Sequence, residues 1–363
     1  MRHSRTGFVL AVLVPLAAAA SAVGAQEGVF RGAIRTVAVY ATVTEQGGRL
    51  VTDLDRSAFE IYDNGRRQDL SIFANDVQPI TVVMLLDRSG SMRANFTFVA
   101  RAAEEFVAQM EPADTARIGS FSNRIQLDPR DFTSDHDELL TILRTELQEE
   151  GPTPLWNAVN VGITALLHQQ GRRVILIFTD GVDSPMNVSA NNQSLKDVMK
   201  RAEEENVMVY AVGLADDNAG MFGRGGPPRA PTGGGRGGWG GRGGGGRGGF
   251  GGMGGGRGGG GRGGFGGMGS DRRGAEADGP DPGLPKIAEQ TGGGYFQLTT
   301  TNDLAATFKR VADELHHQFV LGFAPETLDG KMHKLEAKLK DPALIPRARR
   351  SDLAKPEPAP TAP

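Results

Sequence analysis

The chain has 363 residues, a formal net charge of −3 at pH 7 and no cysteine. This length allows about two domains of ordinary size. The lack of cysteine excludes disulfides and a lipidated cysteine, and the nearly balanced charge provides no general attraction to nucleic acid or to anionic membranes.

Residues 1–25 have the pattern of a secretory signal peptide. Arg2 and Arg5 form a charged start, residues 8–20 are apolar, and Val23-Gly24-Ala25 is a small-residue cleavage site. The apolar run is shorter than the roughly 20 residues of a membrane-spanning helix, which argues against an uncleaved anchor. We therefore predict a secreted or periplasmic protein with no transmembrane segment after signal removal.

Residues 33–76 are predicted to form a small N-terminal β unit. Apolar and polar side chains alternate at 36–43, and further short runs at 59–62 and 70–73 flank the turn Asp63-Asn64-Gly65. Such a unit is too short to bury a good core by itself.

Residues 78–317 alternate between strand and helix patterns. Predicted strands lie at 80–86, 117–121, 125–127, 174–178, 207–212 and 294–298, and predicted helices at 95–110, 135–148, 155–167, 195–206, 283–291 and 301–316. This alternation predicts an α/β domain with a doubly wound, mostly parallel, Rossmann-like sheet.

A long insertion at 218–282 interrupts this domain after its fifth strand. It consists mostly of glycine and arginine and is too poor in branched apolar residues to offset the entropy of ordering, so it is predicted to be disordered. Arg-Gly repeats with aromatic residues can bind single-stranded nucleic acid, and no acidic residue lies between Asp217 and Asp271. We favour a flexible spacer, with weak contact to polyanions as the alternative.

Strand patterns return after the α/β domain. Residues 318–350 are predicted to form a C-terminal β unit that packs with 33–76 into one split β-sandwich, because neither piece is large enough alone. Residues 351–363 are predicted to be a disordered proline-rich tail.

Oxygen-bearing side chains follow two of the predicted parallel strands. Asp87, Ser89 and Ser91 come directly after the strand at 80–86, Asp180 comes after the strand at 174–178, and Thr153 lies in a turn that opens a helix. Strands of a parallel sheet end at one edge, where open α/β sheets bind ligands. Carboxylates and hydroxyls without thiol or imidazole suit Mg²⁺ or Mn²⁺ and argue against Zn²⁺. We expect Asp87 on a surface loop, with a cation relieving its repulsion of Asp180.

These three pieces together resemble the metal-ion-dependent adhesion site of von Willebrand factor type A domains. The matching stretches are D-x-S-x-S after a hydrophobic strand, a G-x-T turn, and a strand that ends in T-D-G. The resemblance implies that Ser89, Ser91 and Thr153 bind the metal directly and that Asp87 and Asp180 act mostly through water. It also implies one open coordination position for a carboxylate of a partner protein.

Two looser matches extend the resemblance to a secreted bacterial branch of that family, over roughly residues 33–350. They are the stretch Phe59-Glu60-Ile61-Tyr62-Asp63-Asn64-Gly65 before the metal strand and the stretch Phe319-Val320-Leu321-Gly322-Phe323-Ala324-Pro325 after the last helix. Neither stretch identifies a partner.

The leading hypothesis is therefore an exported, adhesion-type, metal-dependent protein-binding module without enzymatic activity. One alternative is an Asp-dependent hydrolase, since Asp87 at a strand end resembles the nucleophile of haloacid-dehalogenase-like phosphatases. That family has a second acid two residues later, where this chain has Ser89. Another alternative is an exported structural protein whose metal only stabilises the fold.

Other polar residues are predicted to be structural. His136 and His168 lie on predicted helices with no partner nucleophile indicated. The pair His316-His317 closes a predicted helix, where a positive charge interacts favourably with the helix dipole. Asp183 is interpreted as a surface turn residue rather than a group that supports the metal.

Overall fold

The structure, a computed structural model, describes residues 35–145, 147, 151–184, 192–215 and 279–356. The predicted signal peptide at 1–25, most of the predicted insertion and the tail from 357 onward lie outside these residues. The chain divides into two units, Met1–Arg35 and Thr36–Pro363, and every helix and strand of the described part lies in the second.

Strands and helices are numbered in chain order. The strands are β1 Val37–Glu45, β2 Phe59–Asp63, β3 Arg66–Gln68, β4 Leu70–Ala74, β5 Ile80–Asp87, β6 Thr115–Phe121, β7 Ile125–Thr133, β8 Arg172–Thr179, β9 Val207–Leu214, β10 Tyr295–Leu298, β11 Phe319–Phe323, β12 Met332–Leu339, β13 Leu344–Ala348 and β14 Ser351–Leu353. The α-helices are α1 Phe96–Ala108, α2 His136–Thr145, α3 Leu155–Leu166, α4 Leu195–Glu204, α5 Gly283–Thr291 and α6 Leu304–His316. Short 3₁₀ helices lie at Arg56–Ala58, Ser91–Asn95 and Thr301–Asp303.

The central sheet has six strands in the order β10-β9-β8-β5-β6-β7. All neighbours pair in parallel except β6 and β7, which are antiparallel. Every residue of β5 and of β9 is buried, as expected for parallel strands covered on both faces. The predicted doubly wound, mostly parallel α/β sheet is confirmed.

Helices cover both faces of this sheet because successive side chains of a strand point to opposite sides. Met84 and Leu86 of β5 pack with α1, α2 and α6, whose buried residues include Phe106 and Phe308. Val83 and Leu85 face the other way and pack with α3, α4 and α5. The sheet is therefore held rigidly between two apolar layers, and its strand ends are fixed points for the loops that follow them.

Strands from both ends of the described chain form a β-sandwich. Its two antiparallel sheets have the orders β13-β1-β11-β4 and β14-β12-β2-β3, so each sheet combines N-terminal and C-terminal strands. The shared core includes the rings of Phe59, Phe73 and Phe319, with centroids 4.8 to 6.0 Å apart. The two predicted β pieces thus complete one core.

The sandwich lies at the amino edge of the central sheet. Arg172, which begins β8, donates to the side chain of Gln318 just before β11. Arg349, between β13 and β14, donates to the backbone oxygen of Ala38 in β1 and to the side chain of Asn206 just before β9. The carboxyl edge, where Asp87 ends β5, is at the opposite side of the sheet.

Two predicted boundaries need correction. Residues 351–353 form β14, which pairs with β12, and Ala354 is buried, so the predicted disordered tail at 351–363 begins too early. The stretch Ser351-Asp352-Leu353 is too short and polar for an alternation signal, and its pairing with a distant strand orders it. Likewise, residues 279–282 belong to the ordered domain although the predicted insertion extends to 282, because Asp281 is buried and hydrogen-bonded.

Candidate metal site

Asp87 lies where two neighbouring parallel strands end. Leu86 of β5 stands opposite Phe178 of β8, so the next residues along the two strands, Asp87 and Thr179, are also neighbours. The Thr179 hydroxyl donates to Asp87 Oδ2, and the Ser89 amide donates to Asp87 Oδ1 at 2.7 Å. Asp87 is fully buried, which corrects the expectation that it lies on a surface loop. Groups from the turn after β5 and from the end of β8 therefore both contact the carboxylate.

A line of side-chain oxygens leads from Asp87 to the surface. Ser89 is buried, and its Oγ lies 3.1 Å from Ser91 Oγ. Ser91 is exposed and donates from Oγ to Asp180 Oδ1 at 2.8 Å. Four of the five predicted site residues, Asp87, Ser89, Ser91 and Asp180, are therefore connected through hydrogen-bond contacts at the carboxyl edge of the sheet.

The fifth residue, Thr153, is brought in by backbone pairing. Gly90 N donates to Gly151 O at 3.1 Å, and Thr153 exchanges two backbone hydrogen bonds with Ser184. A Cβ added to Gly181 would lie 3.4 Å from Thr153 Oγ1 and 3.9 Å from Asp87 Oδ2. The Thr153 hydroxyl and the Asp87 carboxylate therefore both lie close to Gly181.

The G-x-T turn needs glycine at its first position. A Cβ on Gly151 would lie 2.7 Å from the backbone nitrogen of Asn123, closer than real Cβ contacts allow. The absence of a side chain at Gly151 lets this turn pack against the loop after β6 and carry Thr153 to the site.

The electrostatics of the site are unfavourable without a cation. Burial raises the pKa of Asp87, hydrogen bonds from Thr179 and Ser89 lower it, and the charge of nearby Asp180 raises it, so the pKa lies at about 6. The predicted repulsion between the two carboxylates therefore agrees with the direction of this shift. A positive ion among these oxygens would favour the ionised form.

The donors at this edge are carboxylate and hydroxyl oxygens. Within the described residues, no group of three or more His, Cys, Asp or Glu side chains is placed to hold a metal ion. A site here would depend on hydroxyl donors beside its two aspartates, a set that fits a hard cation such as Mg²⁺ or Mn²⁺.

Two further aspartates make hydrogen bonds between segments at this edge: Asp183, for which a surface turn was preferred to a supporting role, and Asp281, which was placed in the insertion. Asp183 is half-buried rather than a plain surface turn residue, and its Oδ1 accepts the amide of Trp156 in the first turn of α3 at 3.2 Å. Asp281 accepts the amide of Asp183 through Oδ2 at 3.0 Å and that of Gly283 through Oδ1 at 2.7 Å. The stretch Asp281-Pro282-Gly283 before a predicted helix is a helix-start signal that indicated an ordered residue here.

His316 and His317 lie in two separate contacts within the fold. His316 is buried, and its Nε2 lies 2.7 Å from Oδ2 of Asp114. His317 Nδ1 instead contacts the backbone oxygen of Asp313 at 2.8 Å. These separate contacts favour the structural interpretation of the His316-His317 pair.

The comparison with protein families finds one match. The model of the von Willebrand factor type A domain matches residues 81–221, which run from the second residue of β5 past the end of β9 and include all five predicted site residues. No curated protein matches the chain. Among the described residues, no helix is long and apolar enough to cross a membrane.

Several solved structures resemble the chain at low identity. The conserved hypothetical protein BatB from Bacteroides thetaiotaomicron is 17% identical over 65% of this chain and 97% of its own, with a TM-score of 0.39. A von Willebrand factor type A protein from Catenulispora acidiphila is 10% identical over 88% of this chain and 64% of its own, with a TM-score of 0.43.

A third structure is proximal thread matrix protein 1 from the mussel byssus, described with a zinc-occupied MIDAS motif. It is 11% identical over 70% of this chain and 50% of its own, with a TM-score of 0.44. Because these identities and TM-scores are low, the fold assignment rests on the family model and on the strand order.

Proposed function

We propose that the domain matched by the von Willebrand factor type A model at residues 81–221 is an exported, metal-ion-dependent protein-binding module. In this proposal Asp87, Ser89, Ser91, Thr153 and Asp180 hold one divalent cation, and the cation captures an acidic residue of a partner protein. The observation that supports it most is the convergence of oxygen atoms from three loops around a buried aspartate of raised pKa.

The donor set favours Mg²⁺, or Mn²⁺, as the cation. The two aspartates together balance a divalent charge, while the three hydroxyls are neutral donors. The mussel byssus protein is described with zinc in its MIDAS motif, so Zn²⁺ belongs in the same titration. Because its donors are oxygens without thiol or imidazole, we expect the site to show no preference for Zn²⁺ over Mg²⁺ in this titration.

The proposed partner carries an exposed Asp or Glu. Since only two carboxylates lie beside the cation, the cation stays electrophilic enough to attract a third carboxylate. This charge-assisted contact gains strength because the site is partly shielded from water. Ser91 is exposed and Asp180 is partly exposed, so the line of oxygens that begins at buried Asp87 opens to solvent at this end. A partner side chain would approach from there.

One observation favours a second candidate function, a cation that only stabilises the fold. Asp87 is fully buried and hydrogen-bonded to β8 through Thr179, so a cation beside it would tie the two central strands together. Both candidates require metal binding, and only the first requires a partner.

Metal binding is tested by melting the purified protein in Mg²⁺ and in EDTA. A ligand at 100 times its dissociation constant stabilises the folded state by about 2.7 kcal/mol. For a domain of this size we expect a rise in melting temperature on the order of 5 to 10 °C. Identical melting curves in the two buffers would exclude the site.

Partner binding is tested by capture from the exported protein fraction, with Mg²⁺ or with EDTA. We expect Asp87→Asn to abolish capture and Asp114→Asn to retain it, because Asp114 is equally buried but binds the amide of Ile80 at the amino end of β5. Acidic-to-amide substitutions in the captured protein should then locate its carboxylate. Metal binding without metal-dependent capture would favour the stabilising role.

The glycine-arginine segment should contribute little to this capture. Its arginines act at long range and are screened by salt. A variant that lacks residues 220–269 should therefore keep EDTA-sensitive capture at moderate salt. Capture that survives EDTA but disappears with the segment would make the Arg-Gly repeats the binding element.

Hydrolysis of a phosphate ester that requires Asp87 would instead support the phosphatase-like alternative.

A further inference from the structure

Asp281 is connected to the loop that carries Asp180, although the two residues are far apart in sequence. We infer that Asp281 is a positioning residue for the metal site: it holds the loop at residues 179–184, and through it Asp180, in the arrangement that binds the cation. This inference rests on the proposed metal-binding function and concerns how the loops of the same site are held in position.

Three of the hydrogen bonds of Asp281 link it to the 179–184 loop and to the start of α5. Its backbone nitrogen donates to Gly181 O at 3.2 Å, directly after Asp180 in the chain. Its Oδ2 accepts the amide of Asp183 at 3.0 Å, and its Oδ1 accepts the amide of Gly283 at 2.7 Å. Asp281 is 7% exposed, so these bonds are shielded from water. Two points of the 179–184 loop, on either side of Val182, are therefore tied to Asp281.

The loop also connects Asp281 to the other parts of the site. Gly181 N donates to Thr179 Oγ1 at 3.1 Å, and the Thr179 hydroxyl donates to Asp87. Ser184, at the other end of the loop, pairs with Thr153 through two backbone hydrogen bonds. A displacement of the loop would thus change the positions of Asp180 and Thr153 together. Supporting groups of this kind commonly alter metal affinity 10-fold to 100-fold when they are removed.

The chemistry of Asp281 requires a carboxylate. Both of its oxygens accept hydrogen bonds from backbone N–H groups, whereas asparagine offers only one accepting oxygen. In Asp281→Asn the amide NH₂ would face an N–H donor on one side, either that of Asp183 or that of Gly283. The variant keeps the size of the side chain and loses one of these two side-chain hydrogen bonds.

The position of Asp281 connects the metal site to the long insertion. Asp281 lies two residues after Gly279, where the described chain resumes, and Pro280 packs against Gly213 near the end of β9, since a Cβ on Gly213 would lie 2.8 Å from it. Both sides of the gap between Ala215 and Gly279 therefore meet at the carboxyl edge of the sheet. Because coupling between sites is reciprocal, cation binding should in turn stabilise residues 279–283.

The test compares Asp281→Asn with the matched control Asp114→Asn. Asp114 is also buried and also accepts backbone N–H groups through both oxygens, at 2.9 Å from Ile80 and 2.7 Å from Glu111, but it lies at the amino edge. Mg²⁺ affinity is measured by calorimetry well below the melting temperature of each variant. We expect about a 10-fold loss for Asp281→Asn and less than a 2-fold change for Asp114→Asn.

Hydrogen exchange provides a second readout that does not need the cation. In EDTA, the amides of Asp183 and Gly283 should exchange faster in Asp281→Asn than in Asp114→Asn, and in wild type Mg²⁺ should slow them. Equal Mg²⁺ affinity in wild type and Asp281→Asn would overturn the inference and leave the proposed function intact. Wild type that binds no Mg²⁺ would overturn both, and faster exchange in Asp281→Asn would then show only a structural tie.

Discussion

Replacing Asp87 with asparagine should stabilise the metal-free protein and abolish its response to Mg²⁺. Burial holds the pKa of Asp87 at about 6, against 3.8 for an ordinary aspartate. Each pKa unit corresponds to about 1.4 kcal/mol, so keeping this carboxylate ionised at pH 7.5 costs the folded state about 3 kcal/mol. The variant removes that cost.

The same substitution also weakens the hydrogen bonds that Asp87 accepts. Thr179 and the Ser89 amide both donate to its carboxylate, and asparagine can accept only one of them well. Losing one such bond costs about 1 kcal/mol. The net gain should therefore be about 2 kcal/mol, or a rise in melting temperature of about 4 to 8 °C in EDTA at pH 7.5.

The pH dependence follows from the sign of the shift. Because the pKa of Asp87 is raised on folding, the neutral form contributes stability below about pH 4, and this contribution is lost as the pH rises through about 6. In EDTA the gap between variant and wild type should thus open between pH 4.5 and pH 7.5. In saturating Mg²⁺ wild type gains stability and the variant does not.

Thermal unfolding at pH 4.5 and 7.5, with EDTA or Mg²⁺, measures all four cases. Asp114→Asn is a control for which we expect the opposite change in stability. Burial acts to raise the pKa of Asp114, but hydrogen bonds from His316 and from the Ile80 and Glu111 amides lower it overall. That variant should melt lower in every buffer. If Asp87→Asn melts below wild type in EDTA at pH 7.5, the buried charge is not costly and the electrostatic argument for the cation is wrong.

Three other substitutions give independent tests. Thr153→Ala should weaken Mg²⁺ binding in calorimetry less than Asp87→Asn does, because it removes one neutral donor, with little change in the EDTA melting curve. Gly151→Ala should destabilise the protein by about 1 to 3 kcal/mol in urea unfolding and weaken Mg²⁺ binding, because its Cβ would lie 2.7 Å from Asn123 N; normal stability would mean that the turn can shift freely. In the β-sandwich, burial acts to lower the pKa of His333, but hydrogen bonds to Asp63 and Asp329 raise it overall, so its stabilising contribution is present below pH 6.5 and is lost as the pH rises through that raised pKa. Between pH 5.5 and 9, wild type should therefore lose more stability in melting scans than His333→Gln does, and parallel profiles would contradict this role.

Sequence alone determined the sheet and the position of the candidate site. The apolar runs at 80–86 and 174–178 are typical of buried parallel strands, and such strands end at one edge. Asp87 and Asp180 follow those runs directly, so their proximity was predictable from local pattern. The pairing of the two β pieces was predictable as well, because neither could bury a core alone.

How that site is held depends on contacts between segments that are far apart in the chain. Asp87 comes after an apolar run and precedes turn residues, a local pattern that predicts exposure, but in the fold it is buried and hydrogen-bonded to both the following turn and β8. The hydrogen bond between Asp183 and Asp281 joins residues 98 positions apart, and β14 pairs with a strand of the C-terminal β unit without any alternation of its own. Periodicity reports which face of an element is apolar; contacts between polar groups on separate loops leave no such period, so they emerge only when the chain is folded.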